Sequence, residues 1–296
     1  MTIPRTPQSV IPPLFAGLCD DAAIFPPGDL PLPQAVPAHL AHRTAWYADL
    51  VGPFLCPAGR VEALGDHLGA EPAEGSFEVG LIVPEGSAAL EPALRAARAD
   101  TRLRVVGVEV LADRDAPPAE GVRACREALD RLLPAYAPGA QAAIEVARGP
   151  ELLDALDALE GSPYRAKFRT GGTVAEAFPG ELELASFLYA AVWRKLSFKC
   201  TAGLHHAVRH DDEATGFAHH GFLNVLLATH AALEGAEHGE LADLLREREG
   251  ERLARRLRTL DERQSAAARE AFTAFGTCSI AEPLADLLAL ELVALP

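Results

Sequence analysis

The chain has 296 residues and a formal charge of −15, from 42 acidic against 27 basic side chains. Such a balance repels phosphate backbones and anionic lipid surfaces, which excludes broad electrostatic binding of nucleic acid or membrane and leaves small molecules held in local basic pockets as the expected partners. A hydrophobic fraction of 49% is that of a globular protein, and the length suits one (β/α)8 barrel, so a single domain over 1–296 is expected.

The start, MTIPRTPQSVIPP, lacks the charged and apolar regions of a signal peptide. No run reaches the roughly 18 continuous apolar residues of a membrane span, and a cytoplasmic location is the expectation. Cys19, Cys56, Cys125, Cys200 and Cys278 are scattered without a CxxC pair. That pattern argues against a zinc ribbon or a disulfide framework and for buried small apolar side chains.

In chain order, β-type runs occur at LFAGLCDDAAIF (14–25), PFLCPA (53–58), FEVGLIV (77–83), RVVGVEVLA (104–112), QAAIEVA (141–147), YRAKFRT (164–170), LSFKCTA (196–202) and FGTCSI (275–280). Segments with apolar residues every three or four positions separate them, as in helices laid on a sheet. An extended helical stretch, GFLNVLLATHAAL through RLARRLRTL, lies between the seventh and eighth runs. Eight alternating units predict an α/β (β/α)8 TIM barrel with an extended helical segment between strands seven and eight. The rival, an open doubly wound sheet, loses weight because no GxGxxG follows any of these runs.

In a parallel barrel the outer strand face lies under apolar helices, so charged strand residues must face the interior or the C-terminal rim. Glu109, Glu145, Lys167, Arg169 and Lys199 are such residues. Alternation sets Lys167 and Arg169 opposite Ala166 and Phe168, and Ser197, Lys199 and Thr201 opposite Phe198, Cys200 and Ala202. The charges either neutralise one another structurally or form a functional cluster, and the C-terminal strand ends of this fold favour the second. A lysine among apolar walls and beside a second cation is a nucleophilic amine that forms imines with carbonyls.

The runs AKFRTGG, FKCTAGLHH and FGTCS resemble strands six to eight of the Schiff-base (class I) TIM-barrel aldolases of the deoxyribose-phosphate aldolase type, with Phe168 and Arg169 where that family has small hydroxyl residues. RTGG and TAGLHH are also similar to those of an uncharacterised bacterial family. The aldolase resemblance implies Lys167 as the Schiff-base former, Lys199 as the cation that lowers its pKa, and Gly171, Gly172, Gly203, Gly276 and Ser279 around an anion site. Glu145, Glu109 and His205 are the candidate proton carriers; Arg169, His206 and Asp21 join the substrate-binding set.

The expected activity is therefore aldolase- or lyase-like carbon–carbon chemistry on a small anionic carbonyl compound, without a cofactor. Two alternatives stay open. One is a metal-dependent hydrolase, isomerase or oxygenase holding a divalent ion through Asp20, Asp21, His205 and His206. The other is an inactive barrel that binds a metabolite. Either is compatible with a homo-oligomer.

Overall fold

Eight parallel strands close into a barrel in the computed structural model, which describes residues 10–69, 76–113 and 115–296. In chain order they are β1 (Cys19–Asp21), β2 (Val51–Pro57), β3 (Phe77–Val83), β4 (Leu103–Leu111), β5 (Gln141–Glu145), β6 (Arg165–Arg169) and β7 (Phe198–Thr201). A separate antiparallel hairpin follows, β8 (His210–Asp211) with β9 (Ala218–His219), and β10 (Phe272–Thr277) then closes the barrel between β7 and β1. The eight-strand α/β barrel expected from the sequence is the observed fold.

Two strand boundaries differ from expectation. β1 is only three residues long, because Pro13–Phe15 form a 3-10 turn and the Asp21 carboxylate accepts the Ala23 N–H at 3.1 Å, turning the chain. β10 begins at Phe272 rather than 275, directly after helix α10, and ends at Thr277, whose hydroxyl donates to the Ser279 carbonyl. The buried Phe272 ring sits 5.3 Å from Phe198, so tertiary packing extends the strand into a segment whose alanine-rich start favours helix.

The barrel helices are α1 (Leu32–Thr44), α2 (Val61–His67), α3 (Leu90–Ala99), α4 (Pro118–Tyr136), α5 (Leu152–Leu159) and α6 (Glu181–Trp193). The expected extended segment is α7 (Phe222–Leu233), α8 (His238–Arg246), α9 (Gly250–Arg258) and α10 (Glu262–Ala271), and α11 (Ala281–Ala289) follows β10. The start of α10 is set locally: Asp261 accepts the Gln264 N–H while the Gln264 side chain accepts from Asp261 N–H. Among the described residues no helix is long and apolar enough to cross a membrane.

Alternation along the strands separates two environments. Outward, Phe168 stacks on Phe187 of α6 at 4.2 Å, Phe187 meets Phe198 edge-on, and Phe275 stacks on Phe222 of α7. These rings weld β6, β7 and β10 to their helices. Inward, the same strands present Lys167 and Lys199, as expected. All five cysteines are free, and burial pushes the thiols of Cys19 and Cys200 far above their ordinary range. Cys19, Cys56, Cys125 and Cys200 are buried and act as packing groups.

Candidate active site

Glu145, Lys167 and Lys199 lie in direct register across β5, β6 and β7. Glu109 reaches them from β4. Lys167 Nζ is 2.7 Å from Glu109 Oε2 and 2.8 Å from Glu145 Oε2, and the other oxygen of Glu145 is 2.9 Å from Arg169 Nε. Lys199 Nζ donates to Glu109 Oε1 and, at 2.5 Å, to Asp20 Oδ2 on β1. The result is one chain of alternating charge, Asp20, Lys199, Glu109, Lys167, Glu145, Arg169, with three carboxylates and three cations.

The first five members are each at most 7% exposed, whereas the Arg169 side chain is 40% exposed. Arg169 is thus the one end of the chain that solvent reaches. On β2, Gly52 leaves space for the other end, since a Cβ there would collide with the Asp20 carboxylate.

Burial alone would raise the Glu109 carboxyl, but Lys167 and Lys199 outweigh it and hold it down at about 2. Glu145 is likewise lowered, against its burial, by Lys167 and Arg169. Burial would lower both ammoniums, yet Glu109 and Glu145 raise Lys167, while Asp20 and Glu109 raise Lys199. Asp20 differs, because burial pushes its carboxyl up and Lys199 offsets that only in part. The expectation that Lys199 lowers the Lys167 pKa is therefore corrected: a carboxylate bridges the two lysines, and attraction to it replaces repulsion between them.

Asp21 is also corrected. It points away from Asp20, as strand alternation requires, and its Oδ2 lies 2.9 Å from His39 Nδ1 on α1, with His39 packed between Phe54 and Phe77. Both groups are almost wholly buried, so Asp21 is not part of the interior site.

His205 stands over the end of β10. Its Nδ1 is 3.4 Å from Thr277 Oγ1 and Cys278 Sγ, and burial, reinforced by His219, His206 and His210, lowers its pKa to about 4. His206 faces α11, with Nδ1 3.0 Å from Asp286 Oδ2, which also accepts the Ala207 N–H. His206, His210 and His219 pack ring to ring at 4.7 and 5.2 Å, a histidine cluster of its own at the β8–β9 hairpin. Asp20, Asp21, His205 and His206 are held by these different partners, and among the described residues no group of three or more His, Cys, Asp or Glu side chains is arranged to hold a metal ion.

The glycines have a packing role. Gly203 adopts φ +75°, and a Cβ on Gly171 would stand 2.7 Å from the Gly203 Cα, so the loops after β6 and β7 touch backbone to backbone. The Thr170 hydroxyl clasps them by donating to the Ala202 carbonyl at 2.5 Å. Gly172 abuts Ala177, and Gly276 abuts Leu55 of β2. Ser279 starts α11, its hydroxyl accepting the Glu282 N–H at 3.3 Å.

Gly203→Ala places a Cβ 2.7 Å from the Thr170 carbonyl oxygen at a positive φ. Urea denaturation should show a loss of roughly 1–3 kcal/mol. Gly216→Ala, at φ +71° with open space around it, should lose only the smaller conformational part, on the order of 1 kcal/mol. Equal losses in the two variants would contradict the clasp.

The strand pattern points to four of the buried charges and to Arg169, whereas Asp20 is expected only in a metal set; the signal for it is CDD, where alternation sends only one aspartate inward. Comparison of the chain with family models, with curated proteins and with solved structures found no match in any of the three.

Proposed function

We propose that the protein is an enzyme that acts on a small anionic carbonyl compound through an imine at Lys167, with carbon–carbon bond cleavage or formation as the chemistry. The observation that carries this reading is the placement of Lys167 between two carboxylates, one of which is shared with the solvent-reached Arg169. A fold of this kind commonly houses enzymes, with chemistry at the C-terminal strand ends.

The substrate's carboxylate or phosphate pairs with Arg169 and draws it from Glu145. Glu145 then takes a proton from Lys167 Nζ across 2.8 Å. Both charges disappear together, so the network stays neutral and two desolvation penalties are relieved. The free amine attacks the carbonyl carbon, the C–N bond forms as the C=O π bond breaks, one proton passes from nitrogen to the oxygen, and protonated Glu145 then protonates the resulting hydroxyl, which leaves as water. The resulting iminium accepts the electron pair of the breaking C–C bond as an enamine while the other fragment leaves as a carbonyl, its hydroxyl proton passing to Glu145; Glu145 returns that proton to the enamine carbon, and water hydrolyses the iminium to free Lys167. Lys199 keeps Glu109 ionised throughout.

Borohydride reduction in the presence of a panel including pyruvate and glyoxylate, followed by peptide mass mapping, tests the reading. One stable adduct at Lys167 is expected; an adduct at Lys199 alone, or none with any carbonyl that binds, overturns it. The ion pairing of every member of the network also supports a second reading, a barrel that binds an anionic metabolite at Arg169 without chemistry. In that case binding is measurable and no adduct forms.

A further inference from the structure

A cavity of about 1190 Å3 lies at the end of the barrel opposite the C-terminal rim, between the strand starts and α10. Its strand wall carries Gln141 of β5, Arg165 of β6, Ser197 just before β7, and Thr273 of β10; α10 contributes Arg269. On a chain of formal charge −15, three guanidiniums line one recess; Arg258 pairs with Glu251 at 3.8 Å and donates to the Leu290 carbonyl, which leaves Arg165 and Arg269.

Among the described residues neither guanidinium has a carboxylate within ion-pairing distance. Arg165 donates to the Gln141 amide oxygen at 3.4 Å. Arg269 donates to the carbonyls of Ala16, at 3.0 Å, and Phe272, and its Nε is buried without a hydrogen-bond partner. Burial lowers the pKa of Arg269 to about 10 and that of Arg165 as well, the more distant negative groups failing to offset it. Glu262 and Glu270 border the cavity, but both are exposed to solvent. A guanidinium desolvated without an anion is a costly arrangement, and a partner carrying several oxyanion oxygens relieves it.

We infer that this floor cavity is a second binding site, distinct from the one at Lys167, for a small phosphate-bearing anion held by Arg165 and Arg269 with the Ser197 hydroxyl. The guanidinium forks match the tetrahedral oxygens of phosphate, and the volume admits a molecule considerably larger than phosphate itself. No residue of the charge network lines the cavity, although Asp20 and Glu109 bear on Arg165 from a distance, and the inference does not rest on the imine reading.

Isothermal titration of the full chain with inorganic phosphate and pyrophosphate at constant ionic strength tests the inference. Saturable binding is expected, tighter for pyrophosphate, and Arg269→Gln should weaken it at least about tenfold. Arg269 also ties Ala16 and Phe272 in place, so Ser197→Asp provides a second route: it sets a like charge against the ligand without removing either guanidinium and should weaken binding by a comparable factor. Arg169→Gln removes any separate anion pairing at the C-terminal rim and should leave the Arg269- and Ser197-dependent binding event in place. Absence of saturable binding, affinity unaltered in Ser197→Asp, or loss only in Arg169→Gln would each overturn the assignment.

Discussion

Glu109→Leu is expected to lower the unfolding free energy by about 3–5 kcal/mol, since it removes the carboxylate shared by two buried ammoniums. Lys167 and Lys199 are then neighbours in register with one carboxylate each and no bridge between them. Adding Lys199→Met should recover part of the loss, so the double variant costs less than the sum of its single changes in a denaturation cycle. A Glu109→Leu effect within about 0.5 kcal/mol of wild type, typical of an exposed site, would contradict the buried network.

The pH dependence of stability follows from the same groups. Glu109 has a folded-state pKa depressed from 4.5 to about 2, so its stabilisation is complete above 4.5 and is lost as pH falls toward 2. Glu145, also depressed, has the same sign. Lys167 and Lys199 are raised above 10.5; their contribution is complete below that value and is lost as pH rises through their folded pKa values. Asp20, raised by burial, works against its carboxylate neighbours, because keeping it ionised costs stability. Glu109→Leu should therefore remove part of the acid dependence of the unfolding midpoint between about 4.5 and 2.

Lys167→Ala should abolish the borohydride adduct and reduce turnover of any carbonyl that traps by at least about 10⁴-fold, because the neighbouring amine, Lys199, is held by Asp20 and Glu109 and shares no carboxylate with Arg169. Glu145→Gln divides the effect. With one of its two carboxylates gone, the Lys167 ammonium loses part of what raises its pKa, so trapping should extend to lower pH. Steady-state turnover should nevertheless fall by roughly 10²–10⁴, because the proton carrier is missing. Lys199→Met should retain the adduct at Lys167 with trapping shifted to higher pH, since Glu109 then pairs with Lys167 alone. A trapping profile moved by neither Glu145→Gln nor Lys199→Met would place the reactive amine outside the network.

Much of this architecture is local in origin. Alternation within AKFRT and SFKCT suffices to send Lys167 and Lys199 to one face and Phe168 and Phe198 to the other, whatever the strands pair with. The recurrence of strand and helix patterns likewise predicts a barrel, and the barrel is what forms. The histidines of TAGLHH were legible only as residues near the end of β7. Their actual places depend on Asp286 and Thr277, which lie 80 and 72 residues further along the chain from His206 and His205.

The sequence by itself determined the order of strands and helices and the face of β6 and β7 on which each lysine lies, because a period of two residues is a property of the strand alone. Only the tertiary structure decided that Glu109 stands between the lysines, that Asp20 rather than Asp21 joins them, and that the lysine pKa values rise instead of falling. Those outcomes depend on the stagger between neighbouring strands and on the closure of β10 against β1, which set the heights of side chains from different strands and are not encoded in any one strand's spacing.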